Sequence, residues 1–195
     1  MMERSMLHWT PVTIRQRGLC SRTRGFTLVE LAIVVAIVGV LAVLAIVGYR
    51  RYMLNAKVSE GQSMLGGIKV AQESHRAEVG IYAKIGTTNW CPENGGVGNR
   101  KVGWNPACNG GDAPWSLLPV HAENAVSFQY MTTGGGSGFT EPTDGDWGWV
   151  TWGTPDTTKP WYWATAKCDL DPGGDFTMLV GSSLDNRIFV HNAGE

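Results

Sequence analysis

No basic stripe, no Cys-x-x-Cys pair and no nucleophile–base signature occurs in this 195-residue sequence. Lys and Arg number 16 against 17 Asp and Glu, a formal charge of −1. A broad electrostatic surface for nucleic acid is therefore excluded. With no paired-cysteine spacing, and with His75, His121 and His191 scattered, a zinc site is excluded too. The glycine cluster Gly134–Gly138 lacks the Lys-Ser/Thr ending of a phosphate loop and reads as a short low-complexity loop. Ser137 is not in G-x-S-x-G, because Phe139 takes the last position. His121 and His191 have no tie to a nucleophile. The chain reads as a non-enzyme that carries no cofactor.

What the sequence does have is one long stretch without charge. Leu31 to Val47 is seventeen residues with no charged or strongly polar side chain, extended by Gly48 and Tyr49 and stopped by Arg50-Arg51. At ~1.5 Å per residue, a helix from Phe26 to Tyr49 crosses a hydrocarbon core of ~30 Å. Arg15, Arg17, Arg22 and Arg24 precede it, against two arginines after, which puts the N-terminus in the cytoplasm.

Glu30 stands at the start of this run. An ionised, unpartnered carboxylate within lipid costs several kcal/mol and by default marks a function; the plainer alternative is that it reaches back to the headgroups. Its neighbours decide between the two. Arg24-Gly25-Phe26-Thr27-Leu28-Val29-Glu30 closely resembles the processing site of type IV prepilins. That resemblance implies cleavage after Gly25 by a membrane prepilin peptidase, N-methylation of the new terminal Phe26, and pairing of Glu30 with a neighbouring subunit's terminal amine during fibre assembly. A buried carboxylate becomes tolerable once such a cation meets it.

An ordinary secretory signal has an apolar core of ~7–15 residues followed by a small-residue cleavage site. Here the core is longer, and the glycine–phenylalanine junction precedes it. Cutting there leaves the apolar helix in the product. A plain single-span anchor leaves Gly25 and Glu30 unexplained.

Removing residues 1–25, the expected leader, leaves 170 residues with 11 basic and 16 acidic side chains, a net charge of −5. Residues 26–50 are then the transmembrane or fibre-core helix, 51–80 its amphipathic continuation and 81–195 a globular head, within the usual domain size. Leu54, Val58, Gly61, Leu65, Ile68, Gln72, His75 and Val79 fall on one helical stripe, expected to pack on the head, and Gly80 is a natural stop. Residues 81–120 read as a long Gly-, Asn- and Pro-rich connection with at most short strands. Strands are expected at Ala125–Met131, Trp147–Trp152, Trp161–Lys167, Phe176–Val180 and Arg187–His191. Their short connections suit an antiparallel meander. The fold class is α+β: a long N-terminal helix with an antiparallel sheet wrapped on its outer half, the pilin fold that the resemblance implies. Pilins often carry a proline where Val47 stands here.

Cys20 leaves with the leader, and a head outside the cytoplasm meets oxidising conditions. Cys91, Cys108 and Cys168 allow three single disulfides. Cys91–Cys108 is favoured because it closes a short glycine-rich loop; Cys108–Cys168 stays open, since pilins often tie their C-terminal region down. Asp169, Asp171 and Asp175 are weak calcium candidates, with Glu141, Asp144 and Asp146 as a second source of oxygens. The same residues equally serve an Asp-Pro-Gly turn. Eight tryptophans follow the leader. The alternating ones are expected to fill the core between sheet and helix, and the rest to offer a surface for subunit packing or carbohydrate stacking.

The resemblance implies a structural subunit of a type IV pilus. Its partners would be other copies in a helical fibre, the peptidase and methylase, the pilus assembly platform with its ATPase machinery, and the inner membrane. Fibres of this family serve surface motility, adhesion or DNA uptake. A type II secretion pseudopilin shares the same N-terminal half. A singly anchored periplasmic binding module would require Gly25–Phe26 to stay uncut.

Overall fold

The computed structural model describes residues 25–96, 100–142, 147–170 and 174–193. Helix α1 spans Leu28–Val79 and is followed by β1 Gly86–Cys91, β2 Gln129–Gly135, β3 Trp161–Asp169, β4 Phe176–Ser182 and β5 Ile188–His191. The chain forms two compact units, residues up to Val43 and from Leu44 onward, and α1 contributes to each.

In the second unit the strands form one five-stranded sheet in the order β1-β2-β3-β4-β5, antiparallel throughout. This is the expected α+β meander. The outer half of α1 supplies Val58, Leu65, Ile68 and Ala71 to a core shared with Phe128, Tyr130, Ala164, Ala166, Cys168 and Leu179. Burying Leu65 and Ile68 completely stabilises by roughly 1.5–3 kcal/mol each. Glycines on both elements let helix and sheet approach closely. A Cβ on Gly181 would lie 3.1 Å from Lys69 Cδ, and one on Gly61 only 3.0 Å from the Phe128 ring. The helix stops at Gly80, whose φ of 88° suits glycine and whose N–H donates to Arg76 O at 2.8 Å. The expected stripe ends early: His75 is half-buried and Val79 is exposed.

Three expectations shift. β2 begins at Gln129 rather than Ala125 and runs through Gly134-Gly135, which the sequence suggested were loop. At Gly134 any side chain would strike Tyr82 Cβ at 2.7 Å and Trp161 O at 2.8 Å, so glycine here serves close packing within a strand. Residues before it are diverted: Val126 bridges to Val102, and Ser127 N–H donates to Glu60 Oε1 at 2.7 Å.

Trp147–Trp152 is not a strand. Val150 N–H closes a turn on Trp147 O at 2.9 Å. The alternating tryptophans cover a surface instead: Trp147, Trp149 and Trp152 pack on Val180, Met178 and Phe189.

Trp161 and Trp163 lie on the sheet face away from the helix, with Met131, Trp90, Phe139 and Trp152. Side chains alternate along a strand, so Tyr162, Ala164 and Ala166 take the helix face and the tryptophans the other. The sheet therefore has two covered faces, and most of the tryptophan load lies on the second.

Within residues 81–128, β1 is the short strand. Its Gly86 has φ 139°, and a Cβ there would sit 2.3 Å from Gly110 O, which fixes the return of the chain against the sheet edge. Cys91 and Cys108 form the disulfide, with Cα atoms 6.0 Å apart. Cys168 is buried in β3 outside that bond. The bridged loop seats Trp104 edge-on against Trp115 at 5.1 Å and Tyr130 at 6.0 Å. It also brings Lys101 Nζ to 2.6 Å from Glu60 Oε2 on α1.

Candidate functional site

The first unit carries the residues to which the sequence points. Gly25, Phe26 and Thr27 are non-helical, and α1 starts at Leu28. A helix start leaves its first backbone N–H groups without intrahelical acceptors. Thr27 and Glu30 satisfy some of them reciprocally. Thr27 Oγ1 accepts from Glu30 N–H at 3.2 Å, while Glu30 Oε2 accepts from Thr27 N–H and from Thr27 Oγ1–H, each at 2.9 Å. This is a capping box, and its T-x-x-E spacing was readable in the sequence as such. Thr27 is the residue that sequence reasoning passed over. Glu30 is therefore seated at the helix mouth, held by its own chain, with its carboxylate on the N–H of the Phe26–Thr27 peptide bond.

That junction is open. Phe26 is 90% exposed, and nothing lies within 4 Å of the position a Gly25 Cβ would take. Beyond it, every large apolar side chain from Leu28 to Val47 is more than half exposed. No part of the most apolar window of α1 is buried within the subunit. Apolar surface of this extent needs lipid or other chains to cover it. Among its described residues the unit presents one carboxylate, Glu30, at the head of an uncovered apolar rod.

The other candidates are placed as follows. Asp169 ends β3, and its N–H donates to Gly96 O at 2.8 Å. Its Oδ1 is enclosed, with no hydrogen-bond partner among the described residues. Asp175 and Glu141 are exposed. Asp171, Asp144 and Asp146 lie outside the described residues, as does residue 24 with the leader. Among the described residues, no three His, Cys, Asp or Glu side chains gather where they could hold a metal ion.

Polar groups on the outer half of α1 are used inwardly. Lys69 Nζ donates to the Asn186 carbonyl at 2.9 Å in the β4–β5 turn, and burial lowers its pKa against the opposing pull of Asp185 and Glu73. Tyr82 donates to Glu73 at 2.8 Å and accepts from Arg76 at 3.1 Å; burial raises its pKa, reinforced by Glu73. These charges tie the helix to the head.

Comparison with known proteins agrees with this geometry. The family model described as the prokaryotic N-terminal methylation motif matches residues 20–46. The type IV major fimbrial protein FimA of Dichelobacter nodosus strain VCS1703A is 41% identical over 83 residues, 43% of this chain and 48% of that protein. The type IV major pilin protein PilA of Myxococcus xanthus strain DK1622 is 33% identical over 128 residues, 63% of this chain and 56% of that protein. The fimbrial protein EcpC of Eikenella corrodens is 39% identical over 59 residues, 30% of this chain and 39% of that protein. The chain thus spans about half the length of the curated relatives it matches. No solved structure matches.

Proposed function

We propose that this chain, whose N-terminal half belongs with the type IV pilins, is the structural subunit of a type IV pilus. The precursor is held in the inner membrane by α1 with its leader in the cytoplasm. A prepilin peptidase hydrolyses the Gly25–Phe26 bond, and the freed Phe26 amine is methylated. Copies then leave the membrane and bundle through their apolar helices into an extracellular fibre. The work of the fibre is mechanical.

One observation carries this reading. Glu30 is a solitary carboxylate at the head of an apolar helix that its own subunit leaves uncovered. Burying such a charge without a partner is strongly unfavourable. Thr27 serves Glu30 while the chain is single. In a bundle, where water is excluded, a full cation from a neighbour compensates better than two neutral donors. Processing creates that cation at Phe26.

The experiment compares Glu30→Ala with Thr27→Ala, reading membrane insertion by fractionation and assembly by the yield of sheared fibres. Glu30→Ala is expected to insert normally and to block or slow assembly, whereas Thr27→Ala removes only the helix cap and keeps assembly. Normal fibre yield from Glu30→Ala overturns the pairing role.

A further inference from the structure

The apolar run of α1 ends in four consecutive residues, Tyr49-Arg50-Arg51-Tyr52, all exposed. Successive helical residues are turned by ~100° and raised by ~1.5 Å, so four in a row encircle the helix within ~5 Å of depth. The two guanidinium groups cover one side of the ring and the two phenols the other. Tyr49 is 65% and Tyr52 70% exposed, and no ion pair involves Arg50 or Arg51 among the described residues. The head leaves this level bare: packing of α1 on the core begins with half-buried Leu54, and full burial starts at Val58. By contrast, the charged residues Glu60, Lys69, Glu73 and Arg76 all bond to the head. The collar thus brings charge and aromatic surface together, where the apolar run ends, with no contact to the head among the described residues.

We propose that this collar is a lipid-headgroup site, binding the phosphates of the outer leaflet of the inner membrane while the subunit awaits assembly. The inference rests on the membrane-held precursor described above. A guanidinium presents a planar pair of N–H donors that matches two phosphate oxygens. Tyrosine is favoured at the membrane–water interface, where its ring meets acyl chain and its hydroxyl meets water or headgroup. The depth agrees as well. Between Glu30 and Tyr49 lie eighteen residues, ~27 Å of helix, close to the ~30 Å hydrocarbon core. The apolar run is thus long enough for a span that ends with the collar at the headgroup level. The occupant is a phosphate diester of a lipid, present at the level where the apolar run stops. The collar fixes how deep the shaft rests.

The test reconstitutes the full chain, with guanidino-13C arginine, into bilayers of phosphatidylethanolamine and phosphatidylglycerol in phosphate-free buffer. It reads 13C–31P dipolar dephasing by solid-state NMR. Wild type is compared with Arg50→Gln/Arg51→Gln and with Arg76→Gln, whose guanidinium is bound to Tyr82 in the head. The double variant is expected to lose a dephased component present in wild type, and Arg76→Gln to keep it. Equal dephasing in wild type and the double variant overturns the collar. A double variant that fails to insert is distinguished by carbonate extraction; Arg50→Lys/Arg51→Lys, which keeps the charge, then replaces it, and undiminished dephasing there also overturns the collar. Fibre yield is scored separately in cells, so a chain that contacts phosphate yet forms no fibre contradicts the pilus reading and not the collar.

Discussion

Gln72 of α1 holds both backbone polar groups of Ala83. Its Oε1 accepts from Ala83 N–H at 2.9 Å, and its Nε2 donates to Ala83 O at 3.1 Å and to Thr132 Oγ1 at 3.1 Å. The side chain is fully buried and reaches from the helix to the segment leaving it and to β2. In a sequence reading it is only a polar member of an apolar stripe. In the fold it mimics a strand partner where no strand is available.

Gln72→Leu keeps the volume and removes the partners of an enclosed N–H and C=O. Each such loss costs about 1–3 kcal/mol, so for the two groups the variant is expected to lose about 2–6 kcal/mol of stability. Urea unfolding of the detergent-solubilised chain, followed by tryptophan fluorescence, measures it. An unchanged midpoint would mean that Ala83 does not depend on this side chain.

The helical glycines divide into two kinds. A Cβ on Gly61 would lie 3.0 Å from the Phe128 ring, whereas one on Gly66 or Gly67 would have nothing within 4 Å. Alanine at 66 or 67 is expected to stabilise by up to ~1 kcal/mol through helix propensity. At 61 that gain meets an overpacking penalty of about 1–3 kcal/mol. Gly61→Ala should therefore lower the unfolding midpoint, while Gly66→Ala and Gly67→Ala raise it. The three variants behaving alike would contradict the packing described.

Cys91→Ser/Cys108→Ser opens a loop of seventeen residues' separation. Chain entropy alone makes that worth ~3 kcal/mol. The loop also seats Trp104 and Lys101, so limited proteolysis should cut first between residues 92 and 107 in the variant and not in wild type.

Burial pushes the Cys168 thiol up to about 11, against a lowering influence from Lys57. A raised value means the folded chain keeps its proton longer than the unfolded one. The stabilisation this group provides is full below its ordinary value near 9 and is lost as pH rises towards 11. Peptide mapping after iodoacetamide treatment should show Cys168 unlabelled in the native chain at pH 9 and labelled in urea. Equal labelling in both states would contradict that burial.

The sequence made much of this legible where the physics is local. The apolar run, the Gly80 stop and the meander follow from period and turn chemistry, and loop length favoured the Cys91–Cys108 bridge that the fold contains while leaving Cys108–Cys168 open. Long-range choices were hidden. Gly134-Gly135 looks like loop until Tyr82 is seen above it, and Trp147–Trp152 alternates like a strand while serving as a lid on Val180. Which sheet face Trp161 and Trp163 take depends on where the helix docks, and no window of β3 alone contains that. At the candidate site, Gly25, Phe26 and Glu30 were visible as a motif, whereas the role of Thr27 needed the capping geometry.

Mass spectrometry of fibres sheared from cells tests the central claim most directly. The pilus reading predicts a mature chain that begins at N-methylated Phe26 and carries the Cys91–Cys108 bond. A surface polypeptide that still begins with the residues before Gly25 would contradict it.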